Sequence, residues 1–113
     1  MEGNSYSALG KLYKSLAEFT ENKKSVFSSL VDLLSNQGWK KISESIRPVK
    51  LRKKQQGEFG WFLFQDGDRV PVKIDYYFNG DSVHLMTSGD PVTVKSIETY
   101  LMSRGYGRYH GGG

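Results

Sequence analysis

Two dipeptides constrain this chain more than any other feature: Asp66-Gly67 and Asn79-Gly80. Both are pairs that tolerate positive φ and close tight β-hairpins. They separate three runs rich in aromatic and β-branched residues: Glu58 to Gln65, Arg69 to Phe78 and Ser82 to Thr87. Three such runs with two such turns read as an antiparallel β-meander. Two-residue loops then predict a register. They pair 63 with 70, 61 with 72 and 59 with 74 across the first turn. They pair 76 with 83, 75 with 84 and 74 with 85 across the second. Side chains alternate between faces, so this register sorts them. Phe59, Trp61, Leu63, Val70, Val72, Ile74, Tyr76, Val83 and Leu85 fall on the expected core face. Phe62, Phe64, Arg69, Lys73, Asp75, Tyr77, His84 and Met86 fall on the other.

Helical patterns flank the meander. Tyr6, Leu9, Tyr13 and Leu16 recur at helical spacing and predict a first helix from Ser5 to Phe19. Val26, Phe27, Leu30, Val31, Leu33 and Leu34 predict a second, from Lys23 to Asn36, with Asn22 as its cap and Gly38 as its stop. One continuous helix from Lys11 to Asn36 is the alternative. Val49 to Lys53 alternates apolar and basic residues and predicts a strand before the meander. Asp90 and Pro91 open a last helix that Gly105 ends. The expected fold is α+β: N-terminal helices, an antiparallel three- to four-stranded β-meander, and a C-terminal helix packed on one sheet face. Residues 1–104 form the single expected domain, and 105–113 a flexible Gly/Tyr-rich tail.

The charge is concentrated. Residues 47–54 carry five cations (Arg47, Lys50, Arg52, Lys53, Lys54) and no acid, while the rest of the chain is nearly balanced. Two readings stand for this run: phosphate contacts with salt-sensitive affinity, or a solvated edge strand whose cations block unwanted pairing. The second sheet face sharpens the first reading, because it mixes rings with cations. Rings stack on unpaired bases and cations neutralise phosphates. The opposing reading is that a helix covers these rings. The expectation is a small nucleic-acid-binding accessory protein, RNA or single-stranded DNA favoured. Arg47, Lys50, Arg52, Lys53, Lys54, Arg69 and Lys73 would contact phosphate, and Phe62, Phe64 and Tyr77 would stack on bases. The alternative is a protein-interaction module, an inhibitor or assembly subunit. It would bind a partner or a second copy through its apolar helical faces or the aromatic sheet face.

Other chemistry finds little support. The chain has no cysteine, which removes disulfides, thiolate zinc sites and thiol nucleophiles and fits a cytoplasmic location. Two histidines are too few for a His-based metal site. Asp66-Gly67-Asp68 opens like a calcium loop but has Pro71 and Tyr77 where Gly and Glu are needed. Asp75 and His84, expected opposite each other, are the one acid–base candidate, with no nucleophile or second carboxylate placed beside them. No catalytic residue, metal or cofactor is expected. No apolar run reaches the ~18 residues of a membrane span, and Met1 to Gly10 lacks the pattern of a secretory signal. From the second helix onward the predicted order is α-β-β-β-α, with Gly38-Trp39 and Arg104-Gly105-Tyr106 closing the two helices. Over about Ser25 to Tyr106 this order is similar to the double-stranded-RNA-binding fold and to the small mRNA-cleaving toxins built on it. The strand Glu58-Phe59-Gly60-Trp61 lacks the Gly-Ser-His-type motif of those toxins, so neither the family nor its activity is assigned.

Overall fold

Ser7 and Leu9 are buried while Tyr6, Ala8 and Gly10 between and around them are not. That is a period of two, and the N-terminal segment is a strand rather than the expected helix. The structure, a computed structural model, describes residues 5–51 and 56–108. Its elements run β1 (Ser5–Leu12), α1 (Leu16–Asn36), β2 (Lys40–Lys50), β3 (Gln56–Gln65), β4 (Val72–Phe78), β5 (Ser82–Gly89), α2 (Pro91–Ser103) and β6 (Gly107–Arg108). The fold is α+β, with a six-stranded antiparallel sheet in the order β2-β3-β4-β5-β1-β6 and two helices. Four strands lie between the helices, and β1 and β6 add to the sheet, so the α-β-β-β-α order does not describe the chain.

A single helix, α1, replaces the two expected between Ser5 and Asn36. Ser15 starts it by accepting from the Glu18 N–H at 3.1 Å, and the Glu18 carboxylate accepts from the Lys14 N–H at 2.8 Å. Two orphan backbone donors are satisfied in this way. Asn22, expected as a cap, lies inside the helix and donates to the Glu18 carbonyl. Phe19, Val26, Leu30 and Leu34 form its buried stripe. Both helices end alike. Gly38 (φ 94°) and Gly105 (φ 92°) take the left-handed conformation. Trp39 and Tyr106 then donate back to Leu34 and Leu101 carbonyls at 2.9 and 3.1 Å. These are Schellman closures, and each buries the aromatic that follows the glycine. In α2, Asp90 caps the Thr93 N–H as expected.

Neither hairpin closes on its expected dipeptide. Between β4 and β5 the loop is Gly80-Asp81, flanked by an Asn79 N–H to Ser82 carbonyl bond of 3.0 Å. This pairs Phe78 with Val83 and Tyr76 with Leu85, a slip of two that leaves every side chain on its expected face. Between β3 and β4 the loop runs 66–71 and pairs Phe64 with Val72 and Phe62 with Ile74. That slip is odd, three residues, and an odd slip exchanges the faces of β3. Phe62 and Phe64 therefore join Val72, Ile74, Tyr76, Phe78, Val83 and Leu85 in the core under the helices. Phe59, Trp61 and Leu63 turn to the other side.

Strand β2 starts nine residues before the stretch expected from Val49, and a bulge at Ile42 interrupts its pairing with β3. It is exposed along nearly its whole length. An exposed edge strand needs no apolar alternation, which is why Lys40 to Arg47 carried no strand signal. Gly105 to Arg108, expected in a flexible tail, complete the fold. Tyr106 is buried, its hydroxyl 3.1 Å from that of Tyr13, and β6 pairs with β1. Residues 109–113 lie outside the described residues. Among the described residues no helix is long and apolar enough to cross a membrane.

Candidate functional site

Both helices contribute their apolar stripes to one side of the sheet, and among the described residues no helix covers the other, open side. The register arranges that open side as three rows. The first runs Ser43, Leu63, Lys73, Ser88, Tyr6. The second runs Ser45, Trp61, Asp75, Met86, Ala8. The third runs Arg47, Phe59, Tyr77, His84, Gly10. Rings occupy the adjoining central strands β3 and β4: Phe59 stands directly opposite Tyr77, and Trp61 stands one row away on the same face. Tyr6, Phe59 and Met86 are 63%, 41% and 45% exposed, high values for large apolar side chains. A hollow of about 480 Å³ lies along the third row, lined by Phe59, Asp75, Tyr77, Asn79, His84 and Met86.

Cations stand among these rings. The Lys73 ammonium lies 5.4 Å from the centre of the Trp61 ring and 3.6 Å from Asp75 Oδ1. Arg47 is exposed at the β2 end of the third row, opposite Phe59. That row lies toward the end of the β2–β3 ladder where Leu51 leaves the sheet for the connection to Gln56. Arg52, Lys53 and Lys54 belong to that connection and lie outside the described residues.

The expected site residues therefore divide. Lys73 and Tyr77 share the open face, where the sequence places them together, and Arg47, read from sequence only as part of the basic run, stands on the same face. Phe62 and Phe64 are 7% and 1% exposed and cannot stack on a ligand there. Phe62 instead packs on Phe27 of α1, ring centres 5.2 Å apart. Phe59 and Trp61, assigned to the core from sequence, take their places. Lys50 is exposed but pairs with Gln56, in line with the alternate positions Pro48 and Ile46 that share the helix side. Arg69 is committed elsewhere. Its guanidinium lies 4.2 Å over Trp39, bonds Asp66 at 2.8 Å, and reaches Asp90 and Thr93 at 3.4 Å. It ties the β3–β4 loop to the end of α1 and the start of α2. The Thr93 hydroxyl, with the Thr93 N–H and Arg69, holds the Asp90 carboxyl below its usual range.

Asp75 and His84 do not face each other. Asp75 stands opposite Met86 and His84 opposite Tyr77, and His84 Nε2 lies 3.2 Å from Ser82 Oγ. The two-residue slip thus moves Asp75 and His84 from directly opposed to diagonal positions on the same face, where both line the hollow. On the helix side, Tyr76 donates to Glu58, which also pairs with Lys23. Burial, reinforced by this bond, pushes the Tyr76 phenol far above its ordinary range. Such a cluster holds α1 against β3 and β4. Among the described residues no group of three or more His, Asp or Glu side chains is placed to hold a metal ion.

No protein-family model matches the chain, and no curated protein matches its sequence. Among solved structures the chain is similar to the adenosylmethionine decarboxylase from Aquifex aeolicus, at 18% identity and a TM-score of 0.47, over 91% of this chain and 81% of that one.

Proposed function

We propose that this protein binds single-stranded nucleic acid, RNA or DNA, across its open sheet face. Phe59, Trp61 and Tyr77 supply the stacking surface. Arg47 and Lys73 supply phosphate contacts, joined by the basic residues of the β2–β3 connection. One observation carries the reading: a lysine held over a tryptophan on a sheet face that no helix covers, beside two directly opposed rings. An uncovered aromatic patch of this kind usually marks an interaction surface. Interleaved cations favour an anionic ligand with planar groups, which unpaired nucleotides are. Duplex offers no exposed ring faces, so the rings favour single strands.

Affinity for a short single-stranded oligonucleotide, measured against salt, tests this. Log K is expected to fall linearly with log salt, at about −0.7 per phosphate contacted. Absence of binding at low salt to any form of RNA or DNA would overturn it. The exposure of Tyr6, Phe59 and Met86 on one face favours a second reading, in which this face meets a protein partner or a second copy of the chain. Sedimentation showing a monomer at high concentration would remove the second copy.

A further inference from the structure

We propose that the open face selects guanine among the bases. The inference rests on reading that face as a nucleic-acid platform. Its starting point is a carboxylate where a general single-strand binder has no use for one. Asp75 sits in the middle row, directly between Trp61 and Met86. It repels phosphate and adds nothing to stacking. Its pairing with Lys73 is too loose to explain it: 3.6 Å is ion-pair range but longer than a hydrogen bond, and exposed pairs of this kind contribute little. Both heads therefore keep hydrogen-bonding capacity for a ligand.

Together they present a donor, the Lys73 ammonium, beside the two acceptor oxygens of Asp75. The matching base edge must run acceptor, donor, donor. Guanine has that order on its Watson–Crick edge: O6, N1–H and N2–H. Uracil matches the first two groups but sets its O2 against the carboxylate. Adenine and cytosine each put an acceptor ring nitrogen where the carboxylate needs a donor. The hollow on the adjoining row supplies the seat. A base stacked against Phe59 and Tyr77 there has Asp75 on the wall of the same hollow. Lys73 stands outside that lining, but its ammonium lies 3.6 Å from Asp75 Oδ1, beside the carboxylate that the base edge would meet. Single-stranded recognition commonly combines such stacking with hydrogen bonds to the Watson–Crick edge.

Four RNA nonamers test this: all-uridine strands with a central guanosine, inosine, adenosine or uridine, together with free guanosine monophosphate. The guanosine strand is expected to bind about tenfold tighter than the adenosine and uridine strands, the scale of one bidentate base contact. Inosine, which lacks the N2 amine, falls between. Asp75→Asn is expected to abolish the preference, read as the ratio of guanosine-strand to uridine-strand affinity within the variant. Equal affinity of all four strands for the wild type overturns guanine selection and leaves the platform standing. Binding of guanosine monophosphate alone, sensitive to Asp75→Asn, upholds guanine selection and overturns the strand platform. Failure of every strand and of the mononucleotide overturns both.

Discussion

Gly60 sits in the centre of β3, opposite Ile46 on one side and Tyr76 on the other. A Cβ there would lie 2.5 Å from the Tyr76 ring and 2.7 Å from the Ser45 carbonyl. The missing side chain is the space through which the Tyr76 ring reaches Glu58, and with it Lys23 of α1. Tyr76 and Tyr106 share a consequence. Burial raises both phenols well above their ordinary value, helped by the bond to Glu58 in one case and to Tyr13 in the other. The unfolded chain loses these protons near pH 10, before the folded chain does. Their contribution to stability is thus complete below about pH 10 and is lost as the pH rises beyond it. The midpoint of thermal unfolding is expected to fall steadily above that pH, and Tyr76→Phe should flatten the fall. A midpoint independent of alkaline pH would mean that neither phenol is held neutral by the fold.

Helix caps and hairpin loops decide where each element begins. Ser15→Ala is expected to cost about 1 kcal/mol, the usual worth of an N-cap, read from denaturant midpoints. Asp90→Ala should cost more, because Asp90 also holds the Thr93 hydroxyl at 2.8 Å and meets Arg69. Equal costs would mean that the Arg69 cluster adds nothing. The cap at Asp90-Pro91 was legible in the sequence because capping is local chemistry. Ser15-Leu16-Ala17-Glu18 carries the same kind of signal, Ser followed three residues on by Glu, and marks where α1 starts. Strand β1 had no comparable local mark. Its Tyr6 and Leu9, with Tyr13 and Leu16 beyond it, fit helical spacing, while the alternation that governs it comes from pairing with β5, seventy or more residues away. Strand β3 is ambiguous for a different reason. Phe59 and Trp61 alternate with Phe62 and Phe64, apart from the step across Trp61-Phe62, so aromatic residues lie on both faces. Only the length of the 66–71 loop decides which pair is buried, and Asp66-Gly67 does not announce six residues.

At the scale of the molecule, the sequence predicts helices on an antiparallel sheet of three or four strands; two helices and six strands are present, with one sheet face left uncovered by the described residues. What it did not show was which rings belong to that face. Two helices cover one side of six strands, and the sheet's far side is left with Phe59, Trp61, Tyr77 and Met86 beside Lys73 and Arg47. The free edge at β2 is long, but Pro48, the bulge at Ile42 and its lysines all oppose strand addition there. The ring face is therefore the surface on which a ligand is expected. The two tryptophans make this directly measurable, since Trp39 is 2% exposed under Arg69 while Trp61 stands on the open face. Intrinsic fluorescence titrated with a single-stranded oligonucleotide at low salt should quench saturably in the wild type and not in Trp61→Phe. Quenching that persists in Trp61→Phe, or none in the wild type, would contradict binding at this face.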